Sequence, residues 1–415
     1  RDQWNLGRYH DHCAGLFPIV VIMRIIFLLM LFFISCAKEY PLIPTSNKQS
    51  RFPRLSSNEK GDIFLTWFEE KDSTNWSLRG SIFSNDSWSR PTTITAERSY
   101  FINWADFPSL NYINDDTLVA HWLEKSGDGT YDYDVHLSFS FDQGASWSPS
   151  QIPHSTLAKG EHGFSSFGIG KNAHDVVWLD GREMSMGHGS GDYGKMNLCH
   201  TTFSSDGRLG DEYVIDNKVC ECCPTASVRY KDTLVVAYRD RTNDEIRDIN
   251  IARRVGDKWE EPYCVHEDNW KIAGCPVNGP MLALRNTRIA IAWYTAANET
   301  AKVNVAFSDD IGKTFSDPVR IDLSMPMGRV DIEWINDKAV IVSWIESGEK
   351  TSNIFARKVN INNKPSNEIL VERIPPGRIS GYPQMEVVKN KVLFAWTEIN
   401  KKTTIASKWL SVSDL

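Results

Sequence analysis

The chain has 415 residues, enough for one large repeat domain or two ordinary ones. Hydrophobic residues make up 41% and charged residues 24%, a globular balance. A net charge of -7 without a basic cluster argues against nucleic acid as a partner, so an anionic ligand needs a local positive pocket.

Residue 1 is Arg, and the first methionine is Met23. Met23-Arg24, the apolar run 25–34 and Ser35-Cys36 form a charged n-region, a short h-region and a small residue before a cysteine. The segment 23–36 is similar to a bacterial lipoprotein signal, with Phe33-Ile34-Ser35-Cys36 as a loose lipobox. That resemblance implies lipidation at Cys36, a lipid contact with the membrane, and a place on the outer membrane or cell surface. Residues 1–22 then read as upstream sequence. A plain N-terminal membrane anchor is the alternative, although the apolar run is short for a span.

From Arg51 onward one unit recurs. It opens on a kinked strand start: Phe52-Pro53, Phe107-Pro108, Phe164-Ser165, Cys223-Pro224, Gly279-Pro280, Arg329-Val330 and Tyr382-Pro383. A polar turn follows, then a second strand ending on an aromatic residue: Trp67, Trp122, Trp178, Tyr238, Trp293, Trp344 or Trp396. These seven copies stand about 50 to 60 residues apart, without a helical period between them. Two further strands are expected in each copy. The last copy has room for only three, and 42–45 is expected to supply its missing outer strand.

Ser140-Phe141-Asp142-Gln143-Gly144-Ala145-Ser146-Trp147 reads Ser-x-Asp-x-Gly-x-x-Trp. An Asp that accepts backbone N–H groups and a Gly free to take φ > 0 fit a tight turn between strands. The pattern returns at Ser308-Asp309-Asp310-Ile311-Gly312-Lys313-Thr314-Phe315. These turns resemble those of the Asp-box (BNR-repeat) proteins, of which the bacterial sialidases are the best known. The expected fold is all-β: one β-propeller of four-stranded antiparallel blades over residues 37–415, seven blades preferred, with six, the sialidase number, as the alternative.

In a propeller, the loops leading into the first strands and those leaving the second strands open on one face. Arg51-Phe52-Pro53 resembles the sialidase step whose Arg clamps the substrate carboxylate. Ser380-Gly381-Tyr382-Pro383 resembles the segment that carries the nucleophilic Tyr. By that resemblance Asp72 stands where the family keeps its acid/base, and Glu183 or Glu245 would assist Tyr382. Arg241 and Arg329 would complete the clamp, with Arg239 and Arg182 nearby. The implied activity is exo-alpha-sialidase-type hydrolysis of a terminal acidic sugar by a monomer that needs no cofactor. The alternative is a non-catalytic surface propeller that binds glycan, protein or a soft metal, in which 239–248 is an ion-pair ladder between blades.

Cysteines 220, 222, 223 and 275 cluster around the fourth and fifth repeats. Cys223-Pro224 and Cys275-Pro276 lead into neighbouring blades, so disulfides bracing those blades are expected. A Cu(I) or Zn site that draws on Met184, Met186 and His188 is the other reading.

Overall fold

The computed structural model describes residues 41–415, except 47, 59, 73, 74, 157, 185–193 and 363. The signal segment, Cys36, Met186 and His188 lie outside the described residues. The strands form seven separate antiparallel sheets, arranged as the seven blades of a propeller. Blade one comprises Ser50–Ser57, Ile63–Glu70 and Trp76–Ser84, with Ser87–Trp88 and Thr92–Ala96 outside. Blade two has Ser109–Tyr112, Leu118–Lys125 and Tyr133–Ser140, and its outer edge is reduced to a bridge between Leu137 and Gln151. Blade three is His162–Ile169, His174–Met184, Gly194–Phe203 and Tyr213–Val219. Blade four is Ala226–Tyr230, Thr233–Arg239 and Ile249–Val255, edged by Lys258–Trp259 and Tyr263–Cys264. Blades five and six run Met281–Arg285, Arg288–Thr295, Lys302–Ser308, Val319–Arg320 and Pro326–Asn336, Ala339–Ser347, Ser352–Asn360, Ile369–Ile374. Blade seven is Gln384–Val388, Lys391–Ile399 and Thr403–Ser411.

The recurring aromatics are the reason for the period. Trp67, Trp122, Trp178, Tyr238, Trp293, Trp344 and Trp396 are all buried, one to a second strand. An indole N–H in the core requires an acceptor. Four of the six tryptophans find it two residues on, where strand alternation returns to the same face. Trp122 donates to Glu124, Trp178 to Asp180, Trp344 to Glu346 and Trp396 to Glu398. Trp293 has no carboxylate at that spacing and donates instead to Asp268.

The two Ser-x-Asp-x-Gly turns make the same hydrogen bonds. Ser140 and Ser308 Oγ accept from the N–H of Gly144 and Gly312, whose φ values are 86° and 70°. Asp142 and Asp310 accept from the N–H of Ser146 and Thr314. Each turn follows a third strand and so lies on the face opposite the loops that lead into the first strands.

Closure of the ring departs from expectation. Residues 42–45 form no strand, and among the described residues blade seven has three. Pro41 and Pro44 lack N–H donors, and Thr45 N bonds back to Ile43 O at 2.8 Å, which bends the segment instead of extending it. Blade one meets blade seven through its first strand. Phe52 N donates to Thr397 Oγ1 and Ile405 N donates to Ser50 Oγ.

Candidate functional site

The first strands of all seven blades surround an axial cavity of about 160 Å³. Arg54, His121, Asp331, Glu333 and Glu386 line it. Burial pushes Glu386 up to about 8, Asp331 up to about 6 and Glu333 well above the carboxylate range, while Arg54 pulls each of them down in part. Burial also pushes His121 down to about 3. Near neutral pH the channel therefore holds Arg54 and an ionised Asp331 beside two carboxyls, Glu333 and Glu386, that largely keep their protons.

Above the cavity, Tyr382 is buried among Phe52, Phe107, Phe164 and Cys223. Its hydroxyl donates to the Val277 carbonyl at 2.5 Å. Burial drives the phenol far above its ordinary pKa. Among the described residues no carboxylate is hydrogen-bonded to it.

The arginines divide into committed and uncommitted groups. Arg239 is fully buried and donates to the carbonyls of Asn278, Tyr294 and Arg247. Arg329 donates to Gly381 O, Gly377 O and Ser380 Oγ, holding the loop that carries Tyr382. Arg241 pairs with Glu221 and Glu245, and Arg247 pairs with the same two carboxylates. The segment 239–248 thus forms the ladder weighed above, and Glu245 belongs to it instead of facing Tyr382. Arg182 lies between Asp180 and Glu212. Glu183 is exposed and accepts from Asn197, and Asp72 sits in an exposed turn with its carboxylate on Asn75.

Arg51 and Arg378 differ. Neither guanidinium makes a hydrogen bond or ion pair to a described residue, and Arg51 Nε is buried without a partner. Arg51 lies over the Trp76 ring at 4.2 Å. Arg378, exposed, lies over Trp104 at 5.6 Å, and Arg329 lies over the same ring at 4.6 Å. Trp104 also stacks on Tyr382, with ring centroids 6.1 Å apart. Two half-buried tryptophans, each under an arginine, therefore stand on the rim of blades one and two.

A second group of polar residues gathers where the loops leading into blades two and three meet the third strand of blade two and the first two strands of blade three. Tyr133 donates to Glu161 at 2.7 Å. Burial pushes Glu161 up to about 7 against that hydrogen bond. Asp106, pushed by burial to about 8, accepts from Phe164 N at 2.6 Å. His162 lies 3.0 Å from Asp134 and 3.5 Å from Asp180, and His154 stacks on it. Burial opposes a charge on His162, but the two carboxylates outweigh it and raise the imidazole to about 9. Asp134, His154 and His162 are close enough to share a cation, yet a proton on His162 already balances this charge.

Cys222 pairs with Cys275, a disulfide that braces blades four and five as expected. Met184 packs against the cluster that holds Cys220, Cys222 and Cys223. Trp76, Trp104, Tyr133 and Glu161 were not among the expected site residues. Their signal was available only for Trp104, a tryptophan in a loop leading into a first strand.

The sequence matches no protein-family model and no curated protein. Solved structures with similar architecture include a protein of unknown function from Dyadobacter fermentans, at 15% identity, TM-score 0.49, over 88% of this chain and 96% of that one. A Hadza microbial sialidase is 15% identical, TM-score 0.49, over 82% and 74%. A Penicillium chrysogenum alpha-L-arabinanase complexed with arabinobiose is 13% identical, TM-score 0.45, over 90% and 97%. At these values no residue role is carried from any of them.

Proposed function

We propose that this propeller binds the terminal acidic sugar of a glycan on its rim. The observation behind the proposal is the pair of uncommitted arginines, Arg51 and Arg378, each laid on a tryptophan. Indole faces pack against the C–H faces of a sugar ring, and a guanidinium fork matches a carboxylate. Because the whole chain is negative, this local positive rim selects the anionic end of a glycan.

Sialidase-type hydrolysis is the second reading, favoured by one further observation. Tyr133 has the carboxylate partner that Tyr382 lacks, and Asp106 and Glu161 both carry raised pKa values suited to proton transfer near neutrality.

One experiment separates the readings: titrate sialyllactose and lactose by calorimetry, and assay fluorogenic sialosides in parallel. Sialyllactose should bind and lactose should not, and Trp104→Ala or Arg378→Ala should weaken binding about tenfold or more, in the range of one lost stacking or charge-assisted contact. Turnover abolished by Glu161→Gln moves the conclusion to hydrolysis. Equal binding of lactose and sialyllactose, or of neither, overturns both.

A further inference from the structure

The disulfide Cys222–Cys275 ties the loop leading into blade four to the loop leading into blade five. The two loops are tightly apposed: a Cβ on Gly279 would stand 2.0 Å from the Pro224 carbonyl oxygen. Two more thiols lie beside the bond. Cys220 and Cys223 Sγ are 3.4 Å apart, and the Sγ atoms of Cys220, Cys222 and Cys223 all lie within 4.8 Å of one another. Cys275, at the far end of the disulfide, is exposed, while the other three are buried.

The buried pair is not inert. Arg247 Nη1 donates to Cys220 Sγ at 3.2 Å, and Asn278 N donates to Cys223 Sγ at 3.4 Å. Burial alone would raise the Cys220 thiol, but the hydrogen bond from Cys223 and the Arg247 guanidinium bring it down to about 7. Burial and the neighbouring Cys220 push Cys223 well up. One thiol of the pair is thus poised as a thiolate within reach of a disulfide sulfur, and the other still holds its proton.

We propose that these four cysteines form a thiol–disulfide exchange site that moves its disulfide inward and presents Cys275 as a surface thiol able to take up an external disulfide. In the first step the Cys220 thiolate attacks Cys222 Sγ. The Cys220–Cys222 bond forms, the Cys222–Cys275 bond breaks, and Cys275 leaves as a thiolate. In the second step Cys223 gives up its proton to Cys275 and attacks Cys220 Sγ. The Cys220–Cys223 bond forms and Cys222 leaves as a thiolate. One S–S bond is made and one broken each time, so no oxidant is consumed. The freed Cys275, once deprotonated, attacks an external disulfide RSSR, forming Cys275–S–S–R and releasing RS⁻.

The exchange also acts on the mouth of the propeller. Cys275 precedes Val277, whose carbonyl accepts the Tyr382 hydroxyl, and Asn278, whose carbonyl accepts Arg239. Untying Cys275 removes the covalent restraint on both contacts.

The test uses glutathione disulfide as probe, with mass mapping of adducts and bridges in the full chain under non-reducing conditions. Before the probe is added, Cys222–Cys275 should be bridged, with Cys220 and Cys223 as thiols. At pH 7 the adduct should accumulate at Cys275 together with a Cys220–Cys223 bridge. Cys220→Ser should lower the Cys275 adduct rate at least tenfold, and Arg247→Gln should slow it about tenfold, the change in thiolate fraction when Cys220 returns towards an ordinary thiol. Cys264→Ser, which alters a thiol in the outer edge of blade four, should leave the rate unchanged. The proposal fails if Cys275 takes up no adduct, if Cys220→Ser and the parent react equally, or if both bridges are present before the probe is added. Should Cys220→Ser not fold, Arg247→Gln decides alone: a rate equal to the parent's overturns the thiolate assignment.

Discussion

Tyr382 shows how far a local motif reaches at the scale of one residue. Its neighbours Gly381 and Pro383 read as the approach to a nucleophile, but the group that decides its chemistry is Val277, 105 residues away in sequence. A phenol that donates to a backbone carbonyl in an apolar pocket, with its pKa raised, is held as a structural donor. Tyr382→Phe should therefore cost about 1–3 kcal/mol in urea unfolding, the range for leaving a buried carbonyl without its donor. Binding of sialyllactose by the same variant should stay within about twofold of the parent. A loss of binding or turnover of a hundredfold with stability unchanged would return Tyr382 to the reacting site. Arg239 and Arg329 follow the same logic: their acceptors are carbonyls from other blades, so their composition looked like a substrate clamp while their geometry is that of inter-blade ties.

At the scale of the element, the second strand of each blade carries its own explanation. The recurring aromatic set the number of blades, and seven sheets were legible from it because a core tryptophan at a constant place is a packing requirement. The carboxylate two residues on was equally visible, but its indole partner was not. In a strand, residues i and i+2 share a face, and Glu124, Asp180, Glu346 and Glu398 spend that position on an indole N–H. Glu346 is buried and its Oε1 also accepts from Leu323 N, so it satisfies two donors at once. Glu346→Ala should destabilise the fold by about 2–4 kcal/mol, as two donors lose their charged acceptor, with ligand binding unaffected once the protein is folded. Chemical denaturation measures the first part; a change below about 0.5 kcal/mol, the size of an ordinary surface substitution, would show that the carboxylate is dispensable. The outer strand of blade seven was misjudged for a related reason: Pro41 and Pro44 make 42–45 a poor strand, and that local rule outweighed the expected closure of the sheet.

Across the whole molecule the buried titratable groups form one pattern, and it fixes the pH dependence of stability. Glu386 and Asp106 are raised to about 8, Glu161 to about 7 and Asp331 to about 6, in each case first by burial. A carboxyl raised in the fold is protonated there while its unfolded counterpart is ionised. The folded state then binds more protons, so stability falls as pH rises from the ordinary carboxylate range through the folded value. His162 acts in the same direction: raised to about 9 by Asp134 and Asp180, its contribution is complete below its unfolded value and is lost on the way to pH 9. Asp134 and Asp180, held low by their partners, already contribute fully above about pH 5 and add no slope beyond it. Cys220, lowered to about 7, works the other way between pH 7 and the ordinary thiol value, and His121, His136, His174 and His200, held below the ordinary imidazole value first by burial, work the other way up to that value; the raised carboxyls, joined by Glu333 and Asp240, outnumber them. The melting temperature should therefore be highest near pH 5 and lower by roughly 5 °C or more at pH 9, the size expected of a few kcal/mol in a chain this long. Glu386→Gln, which keeps the shape and removes the titration, should flatten the part of the curve between about pH 5 and pH 8. Scanning calorimetry from pH 5 to pH 9 reads both effects. A melting temperature that stays level or rises over that interval would mean that the channel carboxyls are ionised and solvated, and that the axial cavity is open to water and able to admit cations.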